Sequence, residues 1–179
     1  RPSLAIRTIG DWRLLDEIGR GAWTRVYLAR PADARRARSG CYAVKTLDAL
    51  WDGDPLALAA LRREALVGMT VTHPHLISIL AAHVHEPPHY LVAPFLPGVT
   101  LAERLRSGRL PIRAAVWIAR QVASALAALH AAGWLHRDVK PSNIIFVNGR
   151  PKLADIGLVA TVEQAGSFVG TRGYIPPEG

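Results

Sequence analysis

Cysteine is almost absent from this 179-residue chain: Cys41 is the only one. A single thiol excludes an internal disulfide and fits a reducing, cytoplasmic setting. It falls in an apolar stretch that reads as a strand, so a buried structural thiol is expected. Acidic residues are also scarce, 14 against 22 lysines and arginines, which leaves a net charge of +8. The arginines come with neither an RNP-like aromatic motif nor zinc-finger spacing. They read as a solvated basic face, and no nucleic-acid partner is expected. Long apolar runs are missing too. The most apolar stretch, residues 114–135, is interrupted by Arg120, Gln121 and His130 and reads as a buried amphipathic helix. Neither a signal peptide nor a membrane segment is expected within these residues, which leaves open the cytoplasmic part of a larger or membrane-anchored protein. His83 and His85 alternate with His89 nearby, but no carboxylate or thiolate completes a metal set.

What is present is a core: half of the residues are hydrophobic, enough for one compact domain or two small lobes. The first half of the chain is strand-like. Residues 12–18, 24–30 and 41–47 alternate in the manner of strands, and residues 76–84 and 89–95 read as two more around the turn Glu86-Pro87-Pro88. Between them, residues 54–70 are helical, with Leu58, Leu61, Ala65 and Met69 at helical spacing. A linker with two prolines and a glycine covers residues 94–99. Beyond it come a short helix at 100–106, a long one at 112–132 closed by Gly133, and a small hairpin around Asn148-Gly149.

The chemistry concentrates in residues 136–143, His-Arg-Asp-Val-Lys-Pro-Ser-Asn. Asp138, Lys140 and Asn143 supply what phosphoryl transfer to a hydroxyl requires. A carboxylate orients the hydroxyl, a cation neutralises the moving phosphoryl charge, and an amide oxygen helps to hold Mg²⁺. Other signals are weaker alone. Gly19-Arg20-Gly21 precedes a strand, which suits either a plain hairpin turn or a backbone cradle for phosphate. Lys45 in Tyr42-Ala43-Val44-Lys45 is either an exposed strand lysine or a phosphate ligand. Asp155-Ile156-Gly157 is either a turn or a metal-ligand site.

In this order and spacing, residues 12–178 resemble the catalytic domain of eukaryotic-type serine/threonine protein kinases. The compact loops are similar to those of bacterial members. The resemblance implies an α+β, protein kinase-like two-lobe fold: an extension at 1–10, a strand-rich N-lobe at 11–93, a hinge at 94–99 and a partial, helical C-lobe at 100–179. It implies ATP and Mg²⁺ as cofactors and a protein serine or threonine hydroxyl as acceptor. By the resemblance, Asp138, Lys140 and Asn143 are catalytic, and Asn143 and Asp155 hold metal. Ile18, Gly19, Gly21, Val26, Ala43, Lys45, Pro94, Leu96 and Ile145 contact the nucleotide, and Glu64 pairs with Lys45. Lys140, two positions after Asp138, marks the serine/threonine type by the same resemblance. Gly170-Thr171 and Tyr174 to Glu178 resemble the end of the activation segment, which would bring Thr171 near Asp138 and Lys140. Ser167, then Thr161, are the candidate phosphosites. Thr24 stands where the family has a third glycine, Ile156 where it has phenylalanine, and Gly68 where it packs a larger apolar side chain. These departures motivate a rival reading, a nucleotide-binding regulatory module without turnover. Without the helices that follow in the family, the second lobe is expected to show an apolar face. Oligomeric state is open.

Overall fold

Asp54 starts the first helix: its Oδ1 accepts a hydrogen bond from Ala57 N at 2.8 Å, satisfying an amide that the first turn leaves free. The computed structural model describes residues 7–33, 41–161 and 170–175. They fall into two compact units, Arg1–Ala65 with Ile79–Phe95, and Leu66–Ser78 with Leu96–Gly179.

Among the described residues the first unit is a six-stranded antiparallel sheet, ordered β1-β2-β3-β4-β6-β5. Its strands are β1 (Arg7–Ile9), β2 (Trp12–Arg20), β3 (Thr24–Pro31), β4 (Tyr42–Leu47), β5 (Ala81–His83) and β6 (Tyr90–Pro94). Side chains alternate between the faces of a strand, so register assigns them. One face carries the opposed pairs Gly19/Val26, Val26/Lys45 and Lys45/Leu91, with Leu28/Ala43 and Ala43/Ala93 beside them. The other carries Ala29, Val44, Tyr90 and Val92 as a buried cluster, flanked by Trp12, Leu14 and Tyr42. The segment before Trp12 is part of this sheet: Arg7–Ile9 pairs with Trp12 to Leu14.

The helix α1 (Pro55–Thr70) follows Asp54. Its buried stripe is Ala57, Leu61, Glu64, Ala65, Val67 and Gly68, while Met69 is exposed. Hydrophobic spacing alone shifts the stripe toward Met69, because it omits a carboxylate, Glu64, that the helix buries. The last turn of α1 belongs to the second unit, where Val67 and Val71 join its core.

That core is built on α3 (Ile112–Ala131), whose Ile118, Val122, Ala125 and Leu129 recur every three or four residues and are buried. Phe146, Leu153, Ile156 and Val159 complete it. Before α3 lies α2 (Leu101–Arg106), opened by a capping box in which Thr100 and Glu103 satisfy one another's backbone amides. After it come β7 (Trp134–Leu135), the hairpin β8 (Ile144–Val147) and β9 (Arg150–Leu153), and β10 (Ala160–Thr161), which pairs with β7. Asn148 and Gly149 both take positive φ, 50° and 77°, as a two-residue hairpin turn of this twist requires.

The expected strand over 76–84 is shorter than its composition implies. Leu76 bridges Leu153, and Ile77 N donates to Leu153 O at 2.9 Å, so the start of the segment is bonded to β9, and β5 holds only three residues. Helix α3 is long and apolar enough to cross a membrane by length and composition, with mean hydropathy 1.3. Its buried stripe serves the second unit's core, and Ile112, Val116 and Trp117 are exposed at its start.

Candidate functional site

The second unit shapes the segment from His136 to Asn143 through backbone constraint. His136 is 1% exposed. Asp138 N donates to its Nδ1 at 3.3 Å, so the ring proton sits on Nε2, which donates to Ala154 O at 3.2 Å. Burial pushes the imidazole below its ordinary pKa, against the opposing pull of the Ala154 carbonyl and of Asp155 and Asp138. The ring is therefore a neutral strut between the loop and the end of β9. Arg137 takes φ 67°, a strained left-handed turn that sets the direction of Asp138. A single 3-10 turn, Pro141–Asn143, then returns the chain, and Ala154 N donates to Asn143 O at 2.8 Å.

Three side chains converge on Asp138, itself 5% exposed. Lys140 Nζ donates to Oδ2 at 2.7 Å. Asn143 Nδ2 donates to Oδ2 at 3.0 Å and to the Asp138 carbonyl at 2.9 Å. Thr171 Oγ1 donates to Oδ1 at 2.6 Å and accepts from Lys140 Nζ at 2.6 Å. Burial alone would raise the Asp138 pKa, but the hydrogen bonds from Lys140, Thr171 and Asn143 outweigh it and hold the carboxyl below its ordinary value. The site thus keeps a carboxylate ionised, oriented and touching a hydroxyl, with an ammonium beside that hydroxyl.

The Asn143 amide nitrogen is engaged by Asp138, which turns its oxygen to other use. Asp155 follows Ala154 directly, is exposed, and takes φ 57°. An amide oxygen and a carboxylate are hard donors that fit Mg²⁺, which takes one or two protein oxygens and fills its octahedron with water and phosphate. Among the described residues no cluster of three or more His, Cys, Asp or Glu exists, so a cage made wholly of protein is not what this pair belongs to. Ile156, in the place of an aromatic residue, is fully buried in the core and anchors the segment by its aliphatic side chain.

In the first unit Lys45 Nζ lies 2.9 and 2.8 Å from the two oxygens of Glu64, a pairing of β4 with α1 that is mostly buried. Lys45 shares its sheet face with Gly19, Val26 and Ala43. The turn between β2 and β3 closes through Gly21 N to Thr24 O at 2.8 Å. A Cβ on Gly21 would lie 2.6 Å from Thr24 Oγ1, so a side chain there would make the Thr24 hydroxyl turn away, and Thr24 fills space that a third glycine would leave open. This turn has an anchor that sequence reading missed. Arg25 Nε donates to Asp48 Oδ2 at 2.7 Å, Asp48 N to Trp23 O at 2.8 Å, and the Trp23 and Trp51 rings lie 6.4 Å apart. The residue types carried no signal for it, because all three contacts join segments remote in sequence.

The remaining expected nucleotide contacts are distributed between the units. Ile18 lies on β2, 45% exposed, and Pro94 ends β6 opposite Tyr42. Leu96 and Ile145 belong to the second unit, with Ile145 opposite Lys152 in the β8–β9 hairpin. Of the phosphosite candidates, Thr161 pairs with Trp134 in the β7–β10 ribbon. Ser167 lies outside the described residues, as does Glu178.

Residues 12–179 match the protein kinase domain family. The chain is 32% identical over 178 residues to the serine/threonine-protein kinase AfsK of Streptomyces coelicolor, covering 96% of this chain and 22% of that protein. It is 36% identical over 169 residues to the serine/threonine-protein kinase PknL of Mycobacterium tuberculosis, covering 90% of this chain and 41% of that protein. The crystal structure of the Mycobacterium tuberculosis PknI kinase domain, in a point-mutant form, superposes with a TM-score of 0.70 at 26% identity, covering 87% of this chain and 63% of that one. The chain therefore spans less than half the length of these two curated relatives. With the family matched from Trp12 to Gly179, and the α+β architecture in place, this chain belongs to the protein kinase domain family.

Proposed function

We propose that this chain transfers the γ-phosphoryl group of ATP to a serine or threonine hydroxyl of a protein. The observation that carries the reading is the ring formed by Asp138, Lys140 and Thr171, in which a carboxylate and an ammonium meet at one hydroxyl oxygen. The acceptor hydroxyl would join Thr171 Oγ1 beside Asp138 and Lys140. Asp138 orients it and receives its proton, while Lys140 stands ready for the charge of the transferred group. Lys45, steadied by Glu64, and the glycine turn hold the nucleotide phosphates. Residues 94–99 act as the hinge, where Pro94 and Leu96 meet the adenine. Asn143 and Asp155 would hold Mg²⁺, whose charge would offset that of the nucleotide phosphates. The need for ATP sets the cytoplasm as the place of action, and Ser167 and Thr161 are sites for autophosphorylation.

Intact-mass spectrometry after incubation with Mg²⁺-ATP and a generic protein acceptor tests this. Phosphate should be added by the chain and not by Asp138→Asn. Saturable nucleotide binding without transfer would favour the regulatory-module reading instead, and the absence of both would overturn the proposal.

A further inference from the structure

The sheet of the first unit has a concave feature on the face that Lys45 does not use. A cavity of about 690 Å³ crosses that face from the start of β2 to the edge strand β5. Four rings line it: Trp12, Tyr42, His83 and Tyr90. Trp12 and Tyr42 meet edge to face with centroids 5.0 Å apart, and His83 stacks on Tyr90 at 5.3 Å. The rings are fixed in place. His83 Nδ1 is hydrogen-bonded to Pro88 O at 2.8 Å, and Tyr90 reaches so close to Gly10 that a Cβ there would lie 2.5 Å from its hydroxyl. Two carboxylates, Asp11 and Asp33, complete the lining, and among the described residues no lysine or arginine takes part in it. Asp11 acts on the interior directly. Burial, and then the charge of Asp11, hold the Tyr90 hydroxyl above its ordinary pKa.

Ring faces carry negative quadrupole potential, and a carboxylate beside them adds to it. In a chain of net charge +8, a cavity lined by acids and rings stands apart from the general surface field. Its volume is several times that of one cationic head group and falls in the range of pockets that enclose a larger ligand. Its rim includes β5, an edge strand whose outer backbone is available to an extended chain. We propose that this cavity is a binding site for a basic peptide segment, with an arginine or lysine side chain inserted between the rings and its charge set against Asp11. The site is separate from the nucleotide face: strand alternation points Tyr42 and Val44 one way and Ala43 and Lys45 the other.

The test is a titration of the chain with a labelled, acetylated pentapeptide carrying one central arginine, followed by fluorescence anisotropy. Its citrulline counterpart, equal in shape but uncharged, and free agmatine serve as competitors. The arginine peptide should bind about tenfold more tightly than the citrulline peptide, in keeping with a desolvated cation over aromatic faces. Tyr42→Leu should weaken it about tenfold and Asp11→Asn about threefold, with the two variants keeping their far-ultraviolet circular dichroism. Asp11 is exposed, so its variant remains informative if Tyr42→Leu fails to fold. Equal binding of the arginine and citrulline peptides, or binding untouched by Asp11→Asn, would overturn the proposal. Agmatine that competes as strongly as the arginine peptide would overturn the peptide as the source of the cation.

Discussion

Thr171 ties Lys140 and Asp138 together, accepting a hydrogen bond from the first and donating one to the second. Removing its hydroxyl should leave nucleotide affinity alone and lower turnover. Thr171→Val is expected to reduce kcat about tenfold or more with KM for ATP unchanged, by the usual worth of a hydrogen bond to a charged group. Thr171→Ser should recover most of it, and steady-state kinetics on the three proteins checks both. Protonation gives a second expectation. His136 is held neutral by burial, below its ordinary pKa of 6.5. The unfolded chain takes up that proton as pH falls past 6.5 while the folded chain resists, so folding stability should decline with pH below that point. His73, lowered by burial and by His75 and Lys152, adds to the same slope. Melting temperature followed from about pH 8 to about pH 5 should fall, and His136→Gln should flatten part of the fall; an unchanged slope would contradict the strut. The meeting of Asp138, Lys140 and Asn143 was legible from their spacing, and that of Thr171 with them from the resemblance of its segment to the family's. The role of His136 was not, since a buried ring bonded to a carbonyl 18 residues later leaves no pattern in sequence.

Helix α3 was legible because a buried stripe of Ile118, Val122, Ala125 and Leu129 imposes a period that side chains display directly. Leu129, fully buried, should destabilise the fold by about 2–5 kcal/mol when cut to alanine. Ile112, 82% exposed on the same helix, should tolerate serine within about 0.5 kcal/mol. Urea unfolding separates the two. The segment before α2 depends on a different constraint. The place a Cβ on Gly98 would need is taken by the carbonyl oxygen of Phe146, where Phe146 N also donates to Val99 O at 2.9 Å. Gly98→Ala must therefore push β8 away and should cost more than the Thr100→Ala loss of the capping box, itself about 1 kcal/mol. Short elements were the ones missed. β7 and β10 are two residues each, too few for alternation to register, and β5 keeps only three of its nine expected residues, with Leu76 and Ile77 bonded to Leu153 of β9 instead.

At the scale of the whole molecule, the division into two units means that the sequence order of elements is not their order in space. The end of α1 and residues up to Ser78 belong with α3, although strands of the first unit flank them on both sides in sequence. A reader of the chain sees one boundary near Pro94, whereas the fold has three crossings. Ligand linkage is the corresponding global test. Mg²⁺-ATP at about 100 times its Kd should stabilise the protein by about 2.7 kcal/mol, visible as a rise in Tm of several degrees. Lys45→Met should lose that rise and Asp138→Asn should keep it, because in the proposed function the first removes a phosphate ligand and the second a group that meets the acceptor. The turn carrying Gly21 offers a natural instrument for such work. With the indoles of Trp23 and Trp51 6.4 Å apart and inclined at 49°, their electronic transitions are coupled, and the chain carries its own chiral exciton pair. Any movement of the glycine turn away from Asp48 would dim that optical couplet, so the protein's circular dichroism can follow the turn in real time without a label.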